Sequence, residues 1–358
     1  EDRDRTKGGQ FVRPNAVFRN WITPDGAAGP SGQGGFKAEP GRYHLYVAWA
    51  CPWAHRTAIM RKLKGLEEVI GLSAVGSFMG EDGWTFHDEP GVIPDTANGA
   101  TYLREVYAKA DPDYTGRVTT PVLWDKQMGT IVNNESREIV RMLDTEFGEF
   151  ATTDAHFFPE DLRDEIDATI DAIYEPVNNG VYRSGFATTQ EAYGEAVTEL
   201  FDALDHWEEV LSSRRYLCGD RITEADWCFF PTLVRFDAVY HGHFKCNRNK
   251  LTEMPVLWAY ARDLFQTPGF GDTIDFEQIK QHYYIVHEDI NPTGIVPHLV
   301  VNGAAEAINF YKRAFGATER RVSCLQGVTA SSGSPKPVLR RSLTSTKTSV
   351  LVHLCKTR

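Results

Sequence analysis

Cysteine is sparse in this 358-residue chain, and its spacing excludes several chemistries at once. The six cysteines stand at 51, 218, 228, 246, 324 and 355, with no CxxC pair and no zinc-finger spacing. A disulfide scaffold does not suit a chain of this length, and a lone reactive thiol fits a reducing, cytoplasmic setting. Long hydrophobic runs are also lacking: nothing approaches the roughly 18 apolar residues that suggest a membrane span. Positive charge is short, with a formal net charge of -11 and no basic stripe across the first 300 residues, so neither nucleic acid nor membrane is expected as a partner. The chain opens on Glu1-Asp2-Arg3-Asp4 without a methionine and without an apolar signal-type run, which leaves its true start open. What remains is 42% hydrophobic and 24% charged, an ordinary globular composition with room for two or three domains.

One cysteine sits where chemistry is easy. Tyr43-His44-Leu45-Tyr46-Val47-Ala48 reads as a strand, and Pro52-Trp53-Ala54-His55-Arg56-Thr57-Ala58-Ile59 reads as a helix opened by proline. Cys51 lies between them, facing the unpaired N–H groups and the positive dipole end of that helix, with Arg56 one turn on. Both features favour thiolate over thiol, so Cys51 is read as reactive rather than as an inert core residue. Cys218, Cys228 and Cys246 lie among aromatic residues with helical spacing and are read as core.

Four segments follow from composition and periodicity. Residues 1–42, with Pro14, Pro24, Pro30 and Pro40 and a glycine cluster, form an extended arm. Residues 43–150 alternate strand and helix: strands at 43–48, 69–75, 119–125 and 130–132, helices near 52–64, 100–110 and from Glu135, and a turn-rich insertion holding Trp84. That order suggests a small thioredoxin-like α/β unit in which Pro121, before an apolar strand, is a candidate cis residue. Residues 160–297 are all-helical, from the spacing of Ile166, Ile170, Ile173, Tyr174 and Val177 and of Ala196, Leu200, Ala203, Leu204, Trp207 and Leu211. Thr223-Glu224-Ala225-Asp226 reads as a capping box with a short acid, and Leu257–Leu264 as a further helix. Residues 298–358 form an atypical basic tail; from 303 onward ten Lys/Arg face two Asp/Glu, and this segment is too polar to build a core alone.

In order along the chain, Trp49-Ala50-Cys51-Pro52-Trp53-Ala54-His55-Arg56, Gly83-Trp84, Pro121-Val122-Leu123-Trp124-Asp125 and Asn134-Glu135-Ser136 form one set. Gly180-Val181-Tyr182, Phe236-Asp237-Ala238-Val239-Tyr240, His243-Phe244-Lys245-Cys246-Asn247, His282-Tyr283-Tyr284 and Ile290-Asn291-Pro292-Thr293-Gly294 complete it. The set resembles the glutathionyl-hydroquinone reductases, the xi-class glutathione transferases, across roughly residues 10–297. The resemblance implies an α/β thioredoxin-like N-terminal domain followed by an all-α transferase C-terminal domain, with glutathione as co-substrate, no metal and a homodimer. It implies Cys51 as nucleophile, Trp84 flanking glutathione, and Thr120 and Val122 around Pro121 pairing with the tripeptide backbone. Glu135 and Ser136 would take its γ-glutamyl end, and Tyr182, Tyr240 and one of Tyr283 or Tyr284 the aromatic substrate, which of the pair being open.

The implied activity is glutathione-dependent reduction of glutathionyl-hydroquinones, chlorinated ones among them, through a Cys51–glutathione mixed disulfide. A broader thiol transferase or reductive dehalogenase of halogenated hydroquinones is the enzymatic alternative, and a non-enzymatic transferase-like binding module the other. From their residue types alone, Tyr182 and Tyr240 fit half-buried packing, Trp84 fits loop or core equally, and His241, His243, His282 and His287 form no tight metal pattern. Pro297–Ala317 resembles the opening strand and helix of a glyoxalase/bleomycin-resistance module, with His298 at the place of a first ligand; the rest is too short, so a truncated remnant with no second activity is expected.

Overall fold

The computed structural model describes residues 6–287 and 290, together with the backbone of three short strands near the C-terminus. Two compact units are present, Glu1–Asn291 and Pro292–Arg358, and each is described by itself.

The first unit begins with an arm that has no strand of its own. It lies along the edge of the sheet, where Arg19 bridges Asn133 and the Asn20 N–H donates to the Val132 carbonyl at 2.9 Å. An extended, proline-bearing segment thereby covers an edge that would otherwise expose unpaired backbone groups. Strand β1 (Tyr43–Ala48) leads through Cys51 into α1 (Pro52–Leu63), followed by β2 (Gly71–Val75). The turn-rich insertion contains a small hairpin, β3 (Met79–Gly80) and β4 (Gly83–Trp84), with Gly83 at a φ of 81° where a side chain is disfavoured. Then come α2 (Leu103–Ala110), β5 (Val122–Asp125), β6 (Thr130–Asn133) and α3 (Ser136–Thr145).

The sheet order is β2-β1-β5-β6, with β1 and β2 parallel and the other pairs antiparallel. All six residues of β1 are buried, because both faces of the sheet are covered. Tyr43, Leu45 and Val47 point to a core shared with α1 and α3, while Tyr46 and Ala48 point to a second core with α2. This period-two alternation places the β1–α1 turn, and so Cys51, at the end of the sheet.

The helical part contains α4 (Arg163–Ile173), α5 (Gly180–Gly185), α6 (Gln190–Leu211), α7 (Glu224–Arg235), α8 (Pro255–Gln266) and α9 (Phe276–Val286). The run from Ile166 to Val177 is not one helix. At Tyr174–Asn178 the backbone widens to a π turn around Pro176, which lacks the N–H needed to continue α4. A second π turn, Phe236–Tyr240, follows α7. At the start of α7, the Asp226 carboxylate accepts the Thr223 N–H at 2.7 Å, as the capping-box reading requires.

In the second unit, β7 (His298–Val301), β8 (Leu343–Thr344) and β9 (Lys347–Leu351) form a sheet of order β7-β9-β8. The remnant's expected first strand coincides with β7; its expected helix, and the 291–294 stretch of the resemblance, lie outside the described residues. No helix among the described residues is long and apolar enough to cross a membrane.

Candidate active site

Cys51 is half-buried and is itself the N-cap of α1, with extended dihedrals and Pro52 as the first helical residue. Its sulfur accepts the Ala54 N–H at 3.5 Å, and its thiol donates to the Thr120 carbonyl at 3.3 Å. No acidic residue occupies the first turn of α1, so the positive helix end is not offset there. Cys218, Cys228 and Cys246 are buried free thiols whose pKa values burial pushes up, to about 11 for Cys228 and about 12 for Cys246. Among the described cysteines, chemistry at sulfur is thereby concentrated on Cys51.

Cys51 opens into a cavity of about 400 Å³ lined from both halves of the unit. Trp53, Trp84 and Thr120 come from the α/β part, Tyr182 and Tyr283 from the helices, and Arg13 from the arm. The Thr120–Pro121 bond is cis, matching the expectation for Pro121. Val122 is fully buried in β5 opposite Tyr46 and does not line the cavity.

Three tyrosines converge at the back. The hydroxyls of Tyr182 and Tyr283 lie 2.5 Å apart, and those of Tyr283 and Tyr240 3.1 Å apart. Burial raises the pKa of all three, so their hydroxyls stay protonated and available as donors. Tyr240 supports this cluster from behind the lining. The open choice between adjacent tyrosines is resolved by helix geometry: Tyr283 is 2% exposed and faces the cavity, whereas Tyr284, 39% exposed, turns towards the Ala238 carbonyl. Tyr284 is therefore corrected from pocket residue to surface residue.

Trp84 stacks on His282 with ring centroids 4.7 Å apart, and the His282 Nδ1 hydrogen bonds to the Ser77 carbonyl at 2.9 Å. Burial lowers the His282 pKa to about 4, so the ring is neutral and Nδ1 is the donor. Among the described residues, no group of three or more His, Cys, Asp or Glu is arranged to hold a metal.

Glu135 and Ser136 sit elsewhere than the Cys51 cavity. Glu135 caps α3, accepting the Arg137 N–H at 3.2 Å, and lines a neighbouring cleft of about 710 Å³ with Arg19, Arg56, Arg137 and Arg141; Ser136 is buried beside it. Trp53 lines the Cys51 cavity, with the Arg13 and Arg56 guanidinium carbons 4.9 and 4.6 Å from its ring centroid. Arg56 turns into the helical body, donating to Asn178 Oδ1 at 2.8 Å and the Cys228 carbonyl at 2.9 Å. Arg13 was not legible as a site residue, because an irregular arm carries no periodicity to place it.

Residues 50–146 match the N-terminal domain of glutathione S-transferases, and 190–263 match their C-terminal domain. The glutathionyl-hydroquinone reductase YqjG of Escherichia coli (strain K12) is 51% identical over 293 residues, 82% of this chain and 89% of that protein. The reductase PcpF of Sphingobium chlorophenolicum is 52% identical over 293 residues, covering 82% and 90%. The glutathione-bound structure of YqjG superposes with a TM-score of 0.77 at 52% identity, covering 78% of this chain and 92% of that one. The xi glutathione transferase of Phanerochaete chrysosporium gives 0.76 at 49%, covering 80% and 96%. A helix-start cysteine, a cis proline and an inward tyrosine cluster thus occur on a chain with this likeness: it belongs to the glutathionyl-hydroquinone reductases, the xi-class glutathione transferases.

Proposed function

We propose that this chain reduces glutathionyl-hydroquinones to hydroquinones at the expense of glutathione, with Cys51 as nucleophile. The observation that carries the reading is the placement of a helix-start cysteine and a hydrogen-bonded tyrosine cluster on one cavity.

The carbon–sulfur bond of an aryl thioether resists displacement because an aryl carbanion is a poor leaving group. If the ring carbon bearing sulfur is first protonated and the adjacent phenol becomes a ketone, the leaving group becomes an enolate. The protonated hydroxyls of Tyr182 and Tyr283, backed by Tyr240, are suited to move that proton and to hold the ketone oxygen. The Cys51 thiolate then attacks the glutathione sulfur. A sulfur–sulfur bond forms, the carbon–sulfur bond breaks with its electron pair, and the enolate takes a proton to become hydroquinone. The two sulfurs are oxidised to a disulfide while the ring carbon is reduced. A second glutathione thiolate attacks the mixed disulfide, releasing oxidised glutathione and Cys51.

Within this reading Trp84 flanks glutathione, Thr120 before the cis Pro121 meets its backbone, and its γ-glutamyl end reaches past the Cys51 cavity to Glu135 and Ser136 at the start of α3. The apolar walls Phe11, Met79, Phe186 and Val286 suit a ring, including a chlorinated one. The reading extends to a homodimer and to a cytoplasmic, reducing compartment, which thiol chemistry requires. It divides the chain into an arm at 1–42, a glutathione-binding domain at 43–150, a substrate domain at 160–297 and a tail at 298–358 without its own activity.

Turnover of a purified glutathionyl-hydroquinone with excess glutathione tests this reading. Hydroquinone and oxidised glutathione should appear one to one, and Cys51→Ala should lose at least ~10³-fold in rate. A folded, glutathione-binding wild type without turnover would sink the assignment; turnover of halogenated hydroquinones alone would move it to a dehalogenase.

A further inference from the structure

Arg235, the last residue of α7, is fully buried, and its contacts converge on the segment that presents the nucleophile. Its Nε donates to the Ala50 carbonyl at 3.0 Å and its Nη2 to the Trp49 carbonyl at 2.8 Å, the two residues before Cys51. Its Nη1 donates to the Pro231 carbonyl at 2.9 Å and meets His55 Nδ1 at 3.1 Å. His55 is the neutral partner in that bond, since burial and the adjacent guanidinium push its pKa well below the usual value. Its Nε2–H therefore donates to Thr273 Oγ1 at 2.9 Å. All acceptors of Arg235 are thus neutral, and no carboxylate among the described residues pairs with it. A desolvated cation without an anion is costly to keep unless its charge is used.

We propose that Arg235 is a positioning residue for the Cys51 centre: it clamps the β1–α1 turn through two carbonyls, and its uncompensated charge stabilises negative charge on Cys51. The proposal rests on Cys51 being the nucleophile, not on which aromatic compound is turned over. The same charge favours anionic oxygen at Tyr240 and Tyr283, opposing the larger effect of their burial. Other charged or titratable groups facing the cavity are Arg13 from the arm, Arg117 from the loop before β5, Tyr182 from α5, and His282, Tyr283 and His287 at α9. From α1, His55 is neutral and Arg56 is directed away into the helical body. Arg235 differs from these in holding the backbone of the nucleophile's own turn.

The test follows iodoacetamide alkylation of Cys51 by peptide mass across pH, in wild type, Arg235→Lys and Arg235→Gln, each checked by circular dichroism. Lysine and glutamine both lose the guanidinium fork, but only lysine keeps the charge. At pH ~6 the glutamine variant should react about tenfold slower than wild type and lysine within about threefold, the differences narrowing as pH rises. Equal slowing of both variants at all pH values, or an unchanged glutamine variant, would overturn the proposal. His55→Glu gives an independent answer that does not depend on either Arg235 variant folding. It keeps the carbonyl clamp and sets a carboxylate against the guanidinium, so it should slow alkylation at pH ~6 about tenfold. An unchanged rate there would also overturn the proposal. Wild-type alkylation needs no hydroquinone, so a failed turnover assay with a shifted Arg235→Gln profile would reject the substrate assignment and leave this role standing.

Discussion

At the residue scale, the difference between Cys51 and the other described cysteines is environmental. Cys228 and Cys246 are thiols held protonated by burial, whereas Cys51 sits half-exposed at a helix start. The adjacent tyrosines provide a matched test of the same idea. Tyr283→Phe removes the hydroxyl joining Tyr182 to Tyr240 and should lower kcat by about 10² or more, while Tyr284→Phe should leave steady-state kinetics with a glutathionyl-hydroquinone unchanged. Sequence alone left that choice open because each lay in the same matched triplet, and only the rotation of α9 decides which faces inward. His282 offers a pH test. Its folded pKa of about 4 lies below the ordinary 6.5, so the unfolded chain binds a proton that the folded chain refuses. Stability from this group is full above pH ~6.5 and is lost as pH falls towards ~4, on the order of 3 kcal/mol. Urea midpoints should therefore fall less steeply over that window in His282→Asn than in wild type; parallel slopes would contradict it.

At the element scale, the two π turns lie next to the pocket tyrosines. Tyr174–Asn178 precedes Tyr182, and Phe236–Tyr240 ends on Tyr240, so local widening of the backbone sets where these rings enter the cluster. Helical spacing runs from Ile166 to Val177 without marking the break, because Ile166, Ile170, Ile173 and Val177 stay on the buried side on both sides of it. Pro176 was the available warning. The start of α7 was legible, since Thr223 and Asp226 stand at capping distance. Its depth was not: Asp226 also accepts the Leu217 N–H at 3.0 Å and the Tyr260 hydroxyl at 2.7 Å, contacts between distant positions that no local pattern announces. Asp226→Ala would remove the acceptor of four buried donors, Leu217 N–H, Thr223 N–H, the Thr223 hydroxyl and the Tyr260 hydroxyl, and should cost more than about 3 kcal/mol in chemical denaturation, with Asp226→Asn less damaging. A loss under about 1 kcal/mol would show that the cap, and not the buried network, is the main contribution.

Across the first compact unit, the site is assembled from residues far apart in sequence. The arm supplies Arg13, the β1–α1 turn Cys51, the loop before β5 Thr120, and the helices Tyr182 and Tyr283. The alternation along β1 and the proline-led helix made the α/β architecture and Cys51 readable from the chain. Arg13 and Arg235 were not, since one lies in a segment without period and the other meets the Trp49 and Ala50 carbonyls and His55 only after folding. The most direct measurement of the central chemistry is the intact mass of the protein after one turnover with a glutathionyl-hydroquinone and no free glutathione. One equivalent of hydroquinone should be released as one glutathionyl group appears on Cys51, removable by thiol and absent from Cys51→Ala. Hydroquinone released with no modification of Cys51, or released equally by the alanine variant, would contradict the mixed-disulfide mechanism.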